Sequence, residues 1–121
     1  MPSREQHLRW ARLIEGNIGP VRNAGTRNWL AVVAFYSAMH YVEAYCATVS
    51  QHFTSHTPRN NFVARETHLR QRHSSYQRLY DTAWSCRYRG MIPRSDVADQ
   101  LVNVDFPNVK DHILSRVSPG Q

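Results

Sequence analysis

Three side chains of the apolar segment FYSAMHYVEAY have the chemistry of a functional site. Tyr36, His40 and Glu43 are spaced by four and three residues, which places them on one face of a helix. A histidine held by a carboxylate has a fixed tautomer and a raised pKa, as a general acid or base requires. Alternatively, Glu43 lies exposed at the flank and His40 only bonds to a neighbouring helix. We expect Tyr36 and Glu43 to line a cleft between helices, with His40 as a candidate catalytic residue.

A second group of polar residues, His52, His56 and Arg59, lies in the segment HFTSHTPRN. Thr57 is predicted to cap a helix that has Pro58 at its first position. Backbone N–H groups at such a helix start favour an anion, so a phosphate would dock there beside Arg59. The alternative is a solvated loop with an ordinary cap. The two loop histidines lack the spacing of a known zinc motif, so we predict neither a metal nor another cofactor.

Arginines with a tyrosine end a later helix, in the segment SCRYRGMIPR. Tyr88 between Arg87 and Arg89 is a pattern that single-stranded RNA can use, by stacking and by phosphate pairing. Basic residues at a helix C-terminus also complement the helix dipole, which is a purely structural reason for them. Arg65 and Arg72, in the run RETHLRQRH, are further candidates for phosphate binding or belong to a solvated face.

The charge of the chain supports a nucleic-acid partner. Its 15 basic residues give a net charge of +6 and a pI of about 9.9, and all of them except Lys110 are arginine. Arginine binds phosphate with two donors and stacks on bases. A GC-rich genome would also raise the arginine content, without functional meaning. With five glycines and no GxGxxG or Walker spacing, a glycine loop for phosphate is excluded.

Length and composition predict a folded protein without a membrane span. The 121 residues are 41% hydrophobic and 20% charged, and no apolar run approaches the ~18 residues that span a bilayer. The start of the chain lacks the apolar stretch of a signal peptide, so we expect a cytoplasmic location. Cys46 and Cys86 are expected to be free thiols, because two distant cysteines make no disulfide framework.

Apolar residues recur at helical spacing almost throughout, and no strand-like alternation persists. We therefore predict an all-α fold, a four- to five-helix antiparallel bundle with short connections. The whole chain, 1–121, is predicted to be one helical domain, with a core of about 3–117 and a flexible tail at 118–121.

Caps and breakers predict the ends of the first two helices. Ser3 and Gln6 form a capping-box signature for a helix that runs to about Glu15, before the breakers GNIGP. A second, long helix is predicted from about Thr26 to Ser50. Eight of its residues have the spacing of a core stripe: Trp29, Val32, Val33, Tyr36, Met39, Val42, Cys46 and Val49.

The same signals predict the later helices. The third helix begins at the Thr57 cap and reaches about Arg72. The fourth begins at Ser74 or Ser75 and is stopped by Gly90. The remaining predicted starts are Ser95, for a short segment, and Asp105 with Pro107, for the last helix.

Three segments in this order, NWLAVVAFYSAMHYVEAY, SHTPRNNFV and YQRLYDTAWSCRYRG, resemble the HEPN superfamily of small helical prokaryotic domains. The resemblance covers roughly residues 26–90 and rests on an FY-x-A-x-H helix, an H-x-x-R step and a Y-x-x-L…RY helix. It implies a helical bundle, usually a homodimer, with a polar cleft. The polar places of the pattern are occupied by His40, His56, Arg59, Arg87 and Tyr88.

The resemblance implies two classes of function. Many HEPN proteins are metal-free RNases of toxin–antitoxin, CRISPR or phage-defence systems. Others are non-catalytic modules that bind a nucleotide, RNA or a protein partner such as an antitoxin or a nucleotidyltransferase. The RNase members carry an arginine followed, after four to six residues, by a histidine, and none of the 14 arginines here has that spacing. His56 and Arg59 would have to act instead, as the base for the 2′-OH and the cation for the phosphorane. We expect RNA contact, with catalysis left open.

Overall fold

The computed structural model describes residues 1–117, so the predicted flexible tail at 118–121 lies outside the described residues. This part of the chain forms seven α-helices, of which five have ten or more residues, and contains no strand. The prediction of an all-α helical bundle is confirmed. The helices are α1 (Arg4–Glu15), α2 (Ile18–Asn23), α3 (Arg27–Thr48), α4 (His56–Arg65), α5 (His73–Tyr88), α6 (Ser95–Gln100) and α7 (Phe106–Val117).

Helix α3 is the centre of the bundle. It packs against α1, α5 and α7, and one hydrophobic cluster joins side chains from Leu8 to Val117 around it. Its buried alanines, such as Ala34 and Ala38, let the neighbouring helices approach closely. Phe35 and other large side chains of α3 fill the space between those helices. The side chains of α3 therefore reach several other helices at once.

The predicted core stripe of α3 is only partly correct. Val42 and Cys46 are buried, but Trp29 is 57% exposed and Val49 is 42% exposed. Val32, Val33, Tyr36 and Met39 are only half-buried, because the fully buried residues of this half of α3, among them Ala31, Ala34 and Ala38, occupy a neighbouring face of the helix. The predicted stripe therefore has the wrong helical phase in the first half of α3.

The ends of α1, α3 and α5 follow the sequence signals. The Ser3 Oγ accepts a hydrogen bond from the Gln6 backbone N–H at 3.1 Å, as the capping signature predicts. Helix α3 lies within the predicted limits. After α5, Gly90 has a φ of +64°, a conformation that residues with a side chain rarely adopt. Helix α5 itself begins slightly before the predicted serines, at His73.

Two predictions about helix ends are wrong. The segment GNIGP was predicted to separate two helices, but a further helix, α2, begins within it at Ile18. Helix α4 begins at His56, before the predicted Thr57 cap, and ends at Arg65 rather than at Arg72. At its end, Glu66 is extended and its Oε1 accepts a hydrogen bond from the His68 backbone N–H, which competes with a further helical turn. A short 3₁₀ turn, Arg70–Arg72, then leads into α5.

Asp105 was predicted to start the last helix, but it is buried at the end of a π-helical turn, Leu101–Asp105, that joins α6 to α7. Its carboxylate accepts hydrogen bonds from Ser75 Oγ at 3.0 Å and from Arg78 Nη2 at 2.8 Å, both on α5. A fully buried carboxylate needs such partners. Asp105 therefore ties the irregular turn to α5.

The change Asp105→Ala is expected to lower the free energy of unfolding by about 2 kcal/mol, because it leaves the buried Ser75 hydroxyl without this acceptor. Urea unfolding followed by circular dichroism measures the effect. The matched control is Asp99→Ala, which breaks an exposed 2.7 Å ion pair with Arg22 and should cost less than about 0.5 kcal/mol. Equal effects of the two variants would contradict the role given to Asp105.

No helix within residues 1–117 is both long enough and apolar enough to cross a membrane. Cys46 and Cys86 are free, as predicted, and both are buried. Burial raises the pKa of the Cys46 thiol to about 12, so this thiol is unreactive at neutral pH.

Candidate functional site

The three polar residues of α3 do not share one cleft. Tyr36 accepts a hydrogen bond from the Arg87 guanidinium of α5. His40 contacts α1, and Glu43 is paired with Arg59 of α4. Each of the three side chains thus meets a different helix, because α3 is surrounded by its neighbours. The predicted His40–Glu43 pair is replaced by two separate contacts.

Arg59 and Glu43 form a buried ion pair between α4 and α3. The Arg59 Nε lies 2.5 Å from the Glu43 Oε1, and the side chains are only 6% and 3% exposed. The other guanidinium nitrogens meet the Phe53 carbonyl at 3.1 Å and the His56 Nδ1 at 3.2 Å. The alternative in which Glu43 is exposed at the flank is therefore wrong. Each side-chain nitrogen of Arg59 already has a partner within the protein.

His56 lies beside Arg59, as the H-x-x-R spacing predicts, and also packs against the rings of Phe35, Tyr36 and Tyr80 at 5.3–6.3 Å. Burial, followed by the charges of Arg59 and Arg87, lowers the pKa of His56. A guanidinium only donates hydrogen bonds, so the His56 Nδ1 that faces it must accept. The ring proton is then on Nε2, which can donate but cannot take up a further proton as a base.

His40 forms a hydrogen bond with a histidine that the sequence analysis missed. The Nδ1 atoms of His40 and His7 are 3.1 Å apart, and the Trp10 ring packs against both imidazoles. Burial first, and then the charges of His7 and Arg59, lower the pKa of His40 to about 4. The predicted rise of this pKa is therefore wrong. The spacing of His7, four residues before the buried Ala11, is a signal that indicates its burial.

A group of rings and arginines, which we call the aromatic–arginine surface, lies at the C-terminal end of α5 and includes one residue of α3: Trp84, Arg87, Tyr88 and Arg89, with Tyr36. The Arg87 guanidinium lies over the rings of Tyr36 and Tyr88, at 5.4 and 5.0 Å from their centroids. Arg89 lies 5.1 Å from the centroid of the Trp84 ring. Tyr88 is 61% exposed and Trp84 is 38% exposed. The surface thus offers aromatic faces and cations to solvent side by side.

The arginines of this surface have no acidic partner. Six ion pairs occur within the described part of the chain, and neither Arg87 nor Arg89 belongs to one of them. Trp84 was absent from the predicted site, although it lies four residues before Tyr88 on the same helix, and the two rings are 5.5 Å apart. This i, i+4 spacing is a signal for the pair.

The other two predicted phosphate ligands lie elsewhere. Arg65 is exposed on α4, where its Nε donates to the Asn61 carbonyl at 3.2 Å. Arg72 precedes α5, whereas Arg87 lies near the end of that helix. Fifteen residues of helix separate the two arginines by about 22 Å along the axis. The structure therefore does not bring Arg65 or Arg72 to the aromatic–arginine surface.

Across residues 1–117, the histidines, cysteines and carboxylates form no group of three or more that could hold a metal ion. Comparison of the chain with models of protein families, with curated proteins and with solved structures finds no match. The function is therefore inferred from the geometry of the sites themselves.

Proposed function

We propose that this chain is a HEPN-like RNA-binding protein that holds single-stranded RNA on the aromatic–arginine surface. The observation that carries the proposal is the pairing of Arg87 and Arg89, neither of them bonded to a carboxylate, with the exposed rings of Tyr88 and Trp84. The net charge of +6 supports the same partner. The resemblance adds toxin–antitoxin or phage-defence systems as the expected setting, and the proposed location is the cytoplasm.

Each component of the surface matches a component of single-stranded RNA. Unpaired bases stack on exposed aromatic rings such as Tyr88 and Trp84, and this stacking does not depend strongly on sequence. Guanidinium groups bind backbone phosphates and also stack on bases. Because Arg87 is already held over Tyr36 and Tyr88, less conformational entropy is lost when RNA binds.

Binding without cleavage is the function that the geometry favours. Metal-free cleavage needs a base for the 2′-OH and a cation for the phosphorane, and His56 with Arg59 were the candidates. Arg59 is buried and fully engaged within the protein, and the proton of His56 faces away from Arg59. His40 lies beside His7 of α1 and not beside His56. These contacts favour a structural role for all three residues.

The test is the fluorescence anisotropy of a labelled single-stranded RNA 12-mer in EDTA, at 50 and 200 mM salt. We expect Tyr88→Ala and Trp84→Ala each to weaken binding by about tenfold, because one stacked base is worth about 1–3 kcal/mol. We expect Arg87→Gln and Arg89→Gln each to reduce the slope of log K against log salt by about 0.7, as for one lost phosphate contact.

The matched control is Arg9→Gln, which removes the same charge from an exposed position on α1. If Arg9→Gln weakens binding as much as Arg87→Gln does, the attraction is nonspecific and the proposed surface is wrong. Gel analysis of the same samples detects cleavage, and loss of cleavage in His56→Ala would restore the catalytic alternative.

A second copy of the chain is the competing occupant of this surface. Apolar side chains continue the surface, because Trp29 lines a shallow cavity together with Arg87 and is itself largely exposed. The resemblance implies a homodimer, and antitoxin or nucleotidyltransferase partners would need a similar apolar face. Light scattering distinguishes an RNA site from a protein interface. A dimer that becomes a monomer in Tyr88→Ala, with no RNA bound by the unaltered protein or by the variant, would favour a protein interface.

A further inference from the structure

The shallow cavity beside Arg87 has a volume of about 180 Å³ and adjoins the aromatic–arginine surface. Asn28 and Trp29, from the first turn of α3, form its walls together with Val32 and Cys86. Its volume is well below the roughly 300–1,000 Å³ of pockets that hold whole drug-sized ligands. The cavity therefore has room for one small ring system at the edge of the surface.

The walls of this cavity combine an exposed ring with apolar side chains. Trp29 is 57% exposed, and within residues 1–117 its indole packs against no other aromatic ring, whereas the Trp84 ring lies 5.5 Å from that of Tyr88. Val32 and Cys86 add an apolar wall beside it. An exposed aromatic ring of this kind can stack on an unpaired base.

The Asn28 amide is a polar group of the cavity that no other residue engages. Its side chain makes no hydrogen bond within the described part of the chain. The amide oxygen accepts and the amide nitrogen donates, side by side, whichever way the group is turned. An asparagine amide forms two such bonds with adenine, accepting from N6 and donating to N7, and this edge is accessible in single-stranded RNA. Arg87, which has no carboxylate partner, lines the same cavity and can bind the adjacent phosphate.

We propose that Asn28 gives the aromatic–arginine surface a preference for adenine at one position of a bound strand. The adenine stacks on the Trp29 ring while its N6 and N7 bond to the Asn28 amide. Stacking on Tyr88 and Trp84 is tolerant of sequence, so selectivity requires a hydrogen-bonding contact of this kind. This inference rests on the proposed function, because it assumes single-stranded RNA on that surface.

The test compares labelled RNA 12-mers by fluorescence anisotropy in EDTA at 50 mM salt. One strand is all uridine, a second has one central adenosine, and a third has 7-deazaadenosine there, which lacks the N7 acceptor. We expect the adenosine to tighten binding by about tenfold, because one bidentate pair separates the right base from a wrong one to about that extent. The 7-deazaadenosine strand should bind about as weakly as the all-uridine strand.

The variant Asn28→Leu should bind all three strands equally, with the affinity that the unaltered protein has for all uridine. Its matched control, Asn61→Leu at an exposed position of α4, should keep the tenfold difference. Trp29→Ala should also lose the difference, because the adenine then has no ring to stack on. Circular dichroism checks that each variant is folded.

The outcomes separate this inference from the proposed function. If the unaltered protein binds the adenosine and uridine strands equally, or if Asn28→Leu keeps the preference, the inference is wrong. The proposed function still stands in that case, provided that Tyr88→Ala weakens the binding of both strands. If the unaltered protein binds none of the strands, the proposed function and this inference are overturned together.

Discussion

Replacing Arg59 by methionine is expected to lower the free energy of unfolding by about 3–5 kcal/mol, the largest single-residue effect that we predict. The change leaves the Glu43 carboxylate buried without its cation and also removes the donors to the Phe53 carbonyl and to His56. Urea unfolding followed by circular dichroism at pH 7 measures the difference.

The control for this prediction is Arg65→Met, on the same helix but exposed, which should change the free energy of unfolding by less than about 0.5 kcal/mol. The double variant Glu43→Leu/Arg59→Met should lose less stability than the sum of its two single changes, because it leaves no unpaired buried charge. A loss of under 1 kcal/mol in Arg59→Met would show that the ion pair does not hold α4 on α3. Arg59 would then have to adopt another conformation, in which its guanidinium is accessible to a phosphate.

Lowering the pH from 7 to 4 is expected to reduce the free energy of unfolding by about 1–2 kcal/mol through His40, because its partial contact with solvent reduces the full effect of the pKa shift. Burial lowers the pKa of folded His40 to about 4, whereas an unfolded histidine has its ordinary value near 6.5. Between these two values the unfolded chain binds more protons than the folded one, so protons favour unfolding. The contribution of neutral His40 to stability is therefore fully present above about pH 6.5 and is lost as the pH falls towards 4.

The pH series in the variant His40→Phe isolates this contribution. The charges of His7 on α1 and Arg59 on α4 also act on His40, and Glu43 of α3 acts on His7, so the quantity to compare is the difference between the two proteins. We expect the unaltered protein to lose stability more steeply than His40→Phe between pH 6.5 and 4. Parallel curves would mean that His40 is as easily protonated in the folded protein as in the unfolded one. Thermal unfolding at half-unit pH steps gives both curves.

Much of the fold could be predicted because its signals are local. The Ser3 cap and the glycine at position 90 each act within one helical turn, and both mark real helix ends. Helix α4 ended early because Glu66, a residue with good helix propensity, instead bonds to the backbone of the next turn. The exposure of Trp29 was not predictable from its apolar character, since the small residues Ala31, Ala34 and Ala38 lie on the buried face of this half of α3 instead.

The contacts within the candidate sites could likewise be predicted only where their residues are close in sequence. His56 and Arg59 are three residues apart on one helix, so their contact could be expected from the sequence. The contacts of His7 with His40 and of Arg87 with Tyr36 join residues 33 and 51 positions apart. No local pattern specifies such pairs, because they depend on how α1 and α5 pack against α3. The Arg–Tyr–Arg pattern was visible, and the i, i+4 spacing of Trp84 and Tyr88 was a signal for the tryptophan, but no local pattern shows that Arg87 and Arg89 lack acidic partners.

The buried small residues of α3 also govern how this sequence can vary among descendants. Ala34, Ala38 and Ala44 are each 0% exposed, so a larger side chain at any of them would overpack the bundle at a cost of about 1–3 kcal/mol. The short helices α2 and α6 have few buried residues and tolerate most polar exchanges. Distant relatives should therefore keep the spacing of the small residues in α3 after the remaining sequence has diverged. A sequence search weighted on that spacing would recognise them.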